Sequence, residues 1–318
     1  MLRPRIRDPG RVGLTPLLFG TVVIAWGLTW FAIRLQLGDV PPEVSILYRF
    51  ALAAAILWIF LAATGRLRAV PLRRHGWMAA MGLSLFGINF LLMYWATGYV
   101  ASGVASVVFT MSTVFNALNR WLFFGMRPGL RVLGGGICGV LGIAFLFAEP
   151  LAQMTGAAGQ AAGVALALAG TYVFSLGNMV STRVFGMVDL PNATVRGMTW
   201  GMVFLGVFVL ARGHGLPMDT SPAYLLSLLY LAVPGSILGF LAYLALAERV
   251  GAERAAYATV LSPVVALSVS TVFEGYVWSP WAVAGLPLIL AGNVVIFAPR
   301  GALRRILAPA RGARPGGG

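Results

Sequence analysis

Apolar residues in this chain do not alternate with polar ones. They come in long unbroken runs, separated by short breaks rich in proline, glycine and arginine. Ten runs stand out, at roughly 17–35, 43–64, 77–97, 102–124, 131–148, 161–183, 195–211, 223–246, 254–273 and 281–298. Each holds about 17–24 residues, enough at about 1.5 Å per residue to cross most or all of a hydrocarbon core about 30 Å thick. Barrel strands would be about 10 residues long and alternating. The runs therefore predict an all-α membrane protein with ten transmembrane helices. The breaks have local causes: Pro41-Pro42, Gly65 with Pro71, a tight turn between Gly98 and Gly103, Pro128-Gly129, Pro191, Pro217 with Pro222, Gly251 and Pro280.

The stretch Phe90–Phe147 occurs twice. Shifted forward by 150 positions it falls on Phe240–Phe297 without a gap. Phe90, Leu91, Val100, Ala105, Ser112, Val114, Phe123, Gly125, Gly135, Gly142 and Phe147 meet identical residues, and most other pairs are apolar on both sides. This register divides the chain into a first five-helix repeat, 1–152, and a second, 153–300, joined by the small-residue segment 153–159. Residues 301–318 form a basic tail predicted to lack fixed structure. Five helices per half is an odd number, so the second repeat enters the membrane upside down relative to the first. Inverted repeats of this kind give two states of similar energy, one open to each side, which is the architecture of alternating access.

Composition agrees with lipid as the solvent. The chain is 59% hydrophobic and 10% charged, where a soluble domain carries about a quarter charged residues. The net charge is +14, and every one of the 23 basic residues is arginine. Placing the N-terminus inside puts 20 of them in inner segments and only Arg34 and Arg212 in outer ones, with Arg49 inside the second span. Both termini are thus expected on the cytoplasmic side of a bacterial inner membrane. The arginines lie between apolar runs and no soluble domain carries them, so nucleic acid is not an expected partner; the lipid bilayer and a small-molecule substrate are. Monomer and homodimer both stay open. The first run lacks a small-residue cleavage site and reads as an uncleaved helix. Cys138 is the only cysteine and sits in an apolar run, and His75 and His214 lie at helix ends, so neither a disulfide, a metal site nor a cofactor is expected. No phosphate loop is present for ATP-driven transport, and no pair of ionisable groups shares one depth as an intramembrane enzyme would need.

Polar groups at mid-depth are costly in a bilayer and so are candidates for substrate contact. They are Thr29 and Trp30 on the first span, Asn89 on the third, Ser112, Thr113 and Asn116 on the fourth, Tyr172, Ser175 and Asn178 on the sixth, Ser262 on the ninth and Asn293 on the tenth. Trp26, Trp30, Tyr172 and Tyr257 are deep aromatics suited to stacking. Other aromatics, Tyr94, Trp95, Tyr99, Tyr224, Trp278 and Trp281, sit at outer ends as an interfacial belt. The substrate-binding set is Trp26, Trp30, Asn89, Ser112, Thr113, Asn116, Tyr172, Asn178, Tyr257 and Ser262. A gating set comprises Arg49, which either snorkels to Glu43 or pairs with Glu274, then Glu274 itself, and Pro263. Pro234, Pro263 and Pro287 fall inside predicted helices of the second repeat, where a lost backbone bond supplies a bending point. Gly135 and Gly139 form a small-xxx-small pair for close contact of the fifth and tenth spans, either within the chain or across a dimer.

The first span reads Ala25-Trp26-Gly27-Leu28-Thr29-Trp30-Phe31-Ala32-Ile33-Arg34, followed by Val40-Pro41-Pro42 and then Tyr48-Arg49-Phe50. This resembles the EamA family of the drug/metabolite transporter superfamily, with the YddG-type amino-acid exporters as one branch. The resemblance covers about 17–298. It implies a ten-helix bundle around a central cavity and export of amino acids or other small metabolites. The readings that remain beside it are a membrane-embedded enzyme or lipid-handling protein, and a carrier of another class such as nucleotide-sugars, for which the membrane interior offers only Arg49 as a cation.

Overall fold

The computed structural model describes residues 9–146, 148, 157–250, 255 and 257–297. Among them every regular element is helical: α1 Pro9–Arg34, α2 Pro42–Ala63, α3 His75–Gly82, α4 Asn89–Thr97, α5 Ser102–Phe109, α6 Ser112–Phe124, α7 Leu130–Leu146, α8 Ala157–Phe185, α9 Leu190–Ala211, α10 Pro222–Tyr230, α11 Gly239–Val250, α12 Tyr257–Phe273 and α13 Pro280–Phe297. A 3-10 turn, Leu72–Arg74, leads into α3, and π-helical turns, Leu83–Ile88 and Leu231–Leu238, join α3 to α4 and α10 to α11. Six helical stretches among the described residues are long and apolar enough to cross a membrane: Leu14–Arg34, Pro42–Ala63, Leu72–Thr97, Ala158–Phe185, Leu190–Ala211 and Pro222–Tyr243. Leu130–Leu146, Ala258–Phe273 and Pro280–Ile296 are shorter apolar helices. Large exposed apolar side chains such as Leu210 and Leu226 stud these helices and need an apolar surrounding to be stable.

Boundaries follow local chemistry. Pro42, Pro191, Pro222 and Pro280 stand in the first turn of α2, α9, α10 and α13, where a missing N–H costs nothing. Gly125 ends α6 and Gly275 follows α12, both left-handed at φ 67° and 68°, a conformation a side chain would strain. These two glycines are 150 positions apart, as are the overlapping parts of the π-helical turns.

The predicted fourth span, 102–124, is not one continuous helix. Thr110 and Met111 tighten into i→i+3 turns, with Thr110 N bonding Val107 O and Met111 N bonding Val108 O at 3.1 and 3.0 Å. The Thr110 hydroxyl also bonds Val107 O at 2.7 Å. The chain re-forms as α6 from Ser112. α5 packs on α12, whereas α6 leaves α12 and packs on α8.

The other main seams are α1 with α12, α2 with α9, α4 with α8 and α7 with α13. The last is an intramolecular glycine seam. A methyl group at Gly135 would stand 2.5 Å from the Gly292 carbonyl oxygen, and one at Gly142 would stand 2.7 Å from that of Gly285. Gly139, predicted to share this contact, instead faces the sulfur of Met111.

Irregular helical turns are not confined to the proline positions of the second half. Pro234 lies in the turn Leu231–Leu238, but Leu83–Ile88 has the same π-helical form with no proline. There Ser84 donates to Ala80 O at 2.7 Å, competing with the helix ladder. α12 continues through Pro263, which has no N–H for the Thr259 carbonyl. The neighbouring Ser262 hydroxyl fills that place, donating to Thr259 O at 3.1 Å. Replacing Pro263 with alanine restores the ladder; if bending at this point gates transport, the turnover rate is expected to fall several-fold with substrate affinity retained, measured as counterflow in proteoliposomes.

Candidate functional site

Arg49 is a buried charged side chain within the second predicted span. The buried face of α2 runs through Ile46, Arg49, Phe50, Ala53 and Leu57, so helical spacing carries the arginine inward with its apolar neighbours. It is 2% exposed. Its Nε donates to Ser236 Oγ at 3.2 Å, and that hydroxyl donates to Leu231 O within the π-helical turn. The guanidinium carbon lies 4.5 Å from the Phe90 ring centre and 5.3 Å from that of Phe50. Tyr94 stands beside it and donates to Gln36 Oε1 at 2.9 Å. Gly235 lets Thr29 and the arginine approach: a methyl there would sit 2.8 Å from Thr29 Oγ1. Arg49 Nη1 and Gln36 Nε2 are buried with no hydrogen-bond partner among the described residues. An open surface depression of about 590 Å³ lies at this end of α2 and α4, lined by Leu37, Pro42, Trp95, Tyr99 and Leu166.

Neither carboxylate expected to pair with Arg49 does so in this structure. Glu43 sits in the first turn of α2 and turns to the loop after α9, with His214 Nε2 at 3.1 Å and Arg212 at 3.9 Å. Glu274 caps α5. Its Oε2 accepts from Ser102 N at 2.9 Å, and its Oε1 accepts from the Ser102 hydroxyl and from Ser270 Oγ, the latter at 2.9 Å. Ser270 Oγ in turn accepts from Gly103 N at 2.8 Å. This network ties the start of α5 to the end of α12. At the opposite end of the bundle a second clamp holds the segment after α2 to α9: Asn192 bonds Arg68 N and Arg66 O at 3.0 and 2.9 Å, and Arg196 bonds the Arg68 carbonyl.

The polar faces of α6 and α8 meet. Asn178 donates to Asn116 Oδ1 at 3.2 Å, Asn119 donates to Ser175 Oγ at 2.9 Å, and Thr113 Oγ1 lies 3.4 Å from Asn293 Oδ1. Thr113, Asn116 and Asn178 are half-buried; Asn119 and Ser175 are fully buried. Ser112 is half-buried at the start of α6. Above these amides lies an aromatic layer in which Trp30 and Phe174 flank Phe109, with ring centres 5.6 and 4.7 Å away. Arg49 and Phe109 lie seven residues from Pro42 and Ser102, and Phe90 lies seven before Thr97, so all three sit about 10 Å from one end of their helices. The arginine and the aromatic layer therefore share a depth.

Other predicted residues scatter around this centre. Trp26 stacks with Phe240 and Tyr243 at 5.5 and 5.3 Å. Tyr172 packs edge-on against Phe115 at 5.4 Å. Asn89 is buried, donating to Leu85 O at 3.4 Å with its Oδ1 unpartnered. Ser262 serves the Pro263 bend. The side chain of Tyr257 lies outside the described residues. The structure also adds Gln36, Asn119 and Ser236, which the sequence reading did not name, and gives Tyr94 a different place. Tyr94 was expected in an interfacial belt, yet it is 0% exposed, and Tyr224 at 1% is likewise internal, bonded to Ser45 Oγ at 2.9 Å. The stripe Phe86, Phe90 and Tyr94, four apart along one helical face, carried the signal for Tyr94.

Comparison with known proteins gives concordant matches. The model of the EamA-like transporter family matches residues 14–148 and 161–298. A probable amino-acid metabolite efflux pump of Salmonella typhimurium strain LT2 is 28% identical over 284 residues, covering 85% of this chain and 90% of that one. A probable terminal-alkyne amino-acid exporter of Streptantibioticus cattleyicolor is 29% identical over 281 residues, covering 86% and 90%. The inner membrane transporter YedA of Escherichia coli K12 is 29% identical over 287 residues, covering 88% and 89%. A solved crystal structure shares the fold at TM-score 0.59 and 16% identity, over 89% of this chain and 96% of that one.

Proposed function

From the premise that this chain belongs to the EamA-like transporter family, we propose that it is a secondary carrier exporting amino acids or closely related small metabolites by alternating access. The observation that carries this reading is the half-buried amide face of α6 and α8 beneath the Trp30–Phe109–Phe174 layer. Neutral amides at this depth bind and release polar solutes; they do not break bonds. Two of the named relatives are described as handling amino acids or their metabolites, which supports the substrate class.

The proposed architecture is ten membrane-crossing helices in two inverted repeats, 1–152 and 153–300, with both termini cytoplasmic. Three observations support it. Gly125 and Gly275 adopt the same left-handed turn. The π-helical turns overlap in the repeat register. The glycine seam pairs Gly135 with Gly292 and Gly142 with Gly285, which are exchanged by the 150-residue shift. The arginine bias then makes the Glu274 end the outer one. On this reading α12, held to α5 outside and away from α6 inside, makes the state an inward-facing one, with Glu274 as the outer latch and Pro263 as the bend of the helix it closes. Trp26, Trp30, Asn89, Ser112, Thr113, Asn116, Tyr172, Asn178, Tyr257 and Ser262 remain the proposed surroundings of the substrate.

Counterflow in proteoliposomes tests this. Vesicles preloaded with single amino acids are expected to accumulate labelled substrate saturably for one chemical subset of the panel. No exchange for any amino acid would remove the substrate assignment.

A further inference from the structure

We infer that Arg49 is the anion-binding point of the transport site and that the substrate supplies a carboxylate to it. This rests on the carrier reading above and names the group by which the substrate is recognised. The guanidinium is buried and has no carboxylate within 4.0 Å among the described residues, both nearby glutamates being engaged elsewhere. One face of it is occupied by Phe90, and its Nε by Ser236. Nη1 is left without an acceptor. A buried cation lacking an anion is a costly arrangement, and one that a bound anion relieves. Gln36 Nε2 is a second unpartnered donor, linked to the arginine through Tyr94.

The chemistry of the surroundings selects the anion. Planar guanidinium groups bind carboxylates in a two-point fork, and here the fork has one arm free beside a second amide donor. A phosphate-bearing solute would call for more cationic charge than this single group offers. Phe90 and Phe50 on one side, and the Trp30–Phe109–Phe174 layer at the same depth, provide apolar surface for the rest of the substrate. An amino acid entering the site thus completes the charge balance that the empty protein lacks, and charge balance restored by substrate is a reason for the carrier to change state only when loaded.

The test uses the purified full-length protein. Thermal stabilisation is titrated with a panel of amino acids, their carboxamides, and the matched acids lacking the amino group. Carboxylates are expected to bind at least about tenfold more tightly than the uncharged carboxamides, as loss of a charge-assisted bond predicts. Arg49→Gln is expected to abolish that preference and Arg49→Lys to retain part of it. Equal binding of acid and amide by the natural protein, no binding of any carboxylate, or an undiminished acid preference in Arg49→Gln would each overturn the assignment; the first two do not depend on the variant folding. The two readings fail differently. Carboxylates that bind through Arg49 without exchange in counterflow would count against amino-acid export alone. Amino-acid counterflow with unchanged KM in Arg49→Gln would count against the anion site alone.

Discussion

Glu274→Ala is expected to shift the protein toward its outward-facing state and to slow net transport at least tenfold. The carboxylate accepts three hydrogen bonds, two from Ser102 N and Ser102 Oγ that join α5 to the end of α12, and one from Ser270 Oγ that fixes the carboxylate to its own helix. Bonds to a charged acceptor contribute about 1.5–3 kcal/mol each. Partial exposure of Glu274 lowers that, so about 3 kcal/mol for the set is a reasonable sum, equivalent to about a hundredfold shift in population at 1.4 kcal/mol per tenfold. Glu274→Gln keeps an acceptor oxygen and is expected to lie between. The readout is labelling of a cysteine placed at Phe109, in a Cys138→Ser background, by a membrane-impermeant maleimide applied from outside. Labelling is expected to accelerate at least tenfold in Glu274→Ala; an unchanged rate would mean that the network merely caps a helix.

The second large effect concerns two adjacent glycines. Gly135→Ala is expected to destabilise the protein by about 2 kcal/mol, while Gly134→Ala stabilises it by up to about 1 kcal/mol. Alanine is favoured over glycine inside a helix by about 1 kcal/mol. At Gly134 nothing lies within 4 Å of the added methyl, so that gain is kept. At Gly135 the methyl meets the Gly292 carbonyl oxygen at 2.5 Å and the Ile296 side chain. Backbone cannot move aside as a flexible side chain can, and overpacking of this kind costs about 3 kcal/mol. Denaturation of the two variants in the same detergent measures the difference; like-signed changes would show that α7 and α13 do not meet as described.

Much of the helical layout was legible because its causes are local. Pro41-Pro42, Pro191, Pro222 and Pro280 announce helix starts by chemistry alone, and a glycine that must be left-handed ends α6. The apolar character of the runs needed no tertiary information. What escaped depends on competition between nearly equal alternatives. The break at Thr110–Met111 has neither proline nor glycine; a threonine hydroxyl returning to its own backbone and tightened i→i+3 turns produce it. The turn Leu83–Ile88 is π-helical with an unremarkable sequence. Arg49 was recognisable as costly, but its neighbours were not, since Ser236 comes from the turn Leu231–Leu238 and Gln36 from the turn after α1, both distant in sequence. Ser262 is placed near the substrate by depth alone, and the sequence did not show that its hydroxyl also returns to the Thr259 carbonyl beside Pro263. Tyr94 looked interfacial because it lies near a helix end, while its partner Gln36 draws it inside.

The most direct test of the account is whether one position in the proposed cavity is reached from both sides of the membrane. A cysteine replacing Asn116 in a Cys138→Ser background is placed in proteoliposomes of known orientation and exposed to an impermeant maleimide on either face during counterflow. The account predicts labelling from the cytoplasmic face at rest and, once substrate drives the cycle, labelling from the outer face as well, blocked in both cases by saturating substrate. Labelling confined to one face under every condition would contradict alternating access.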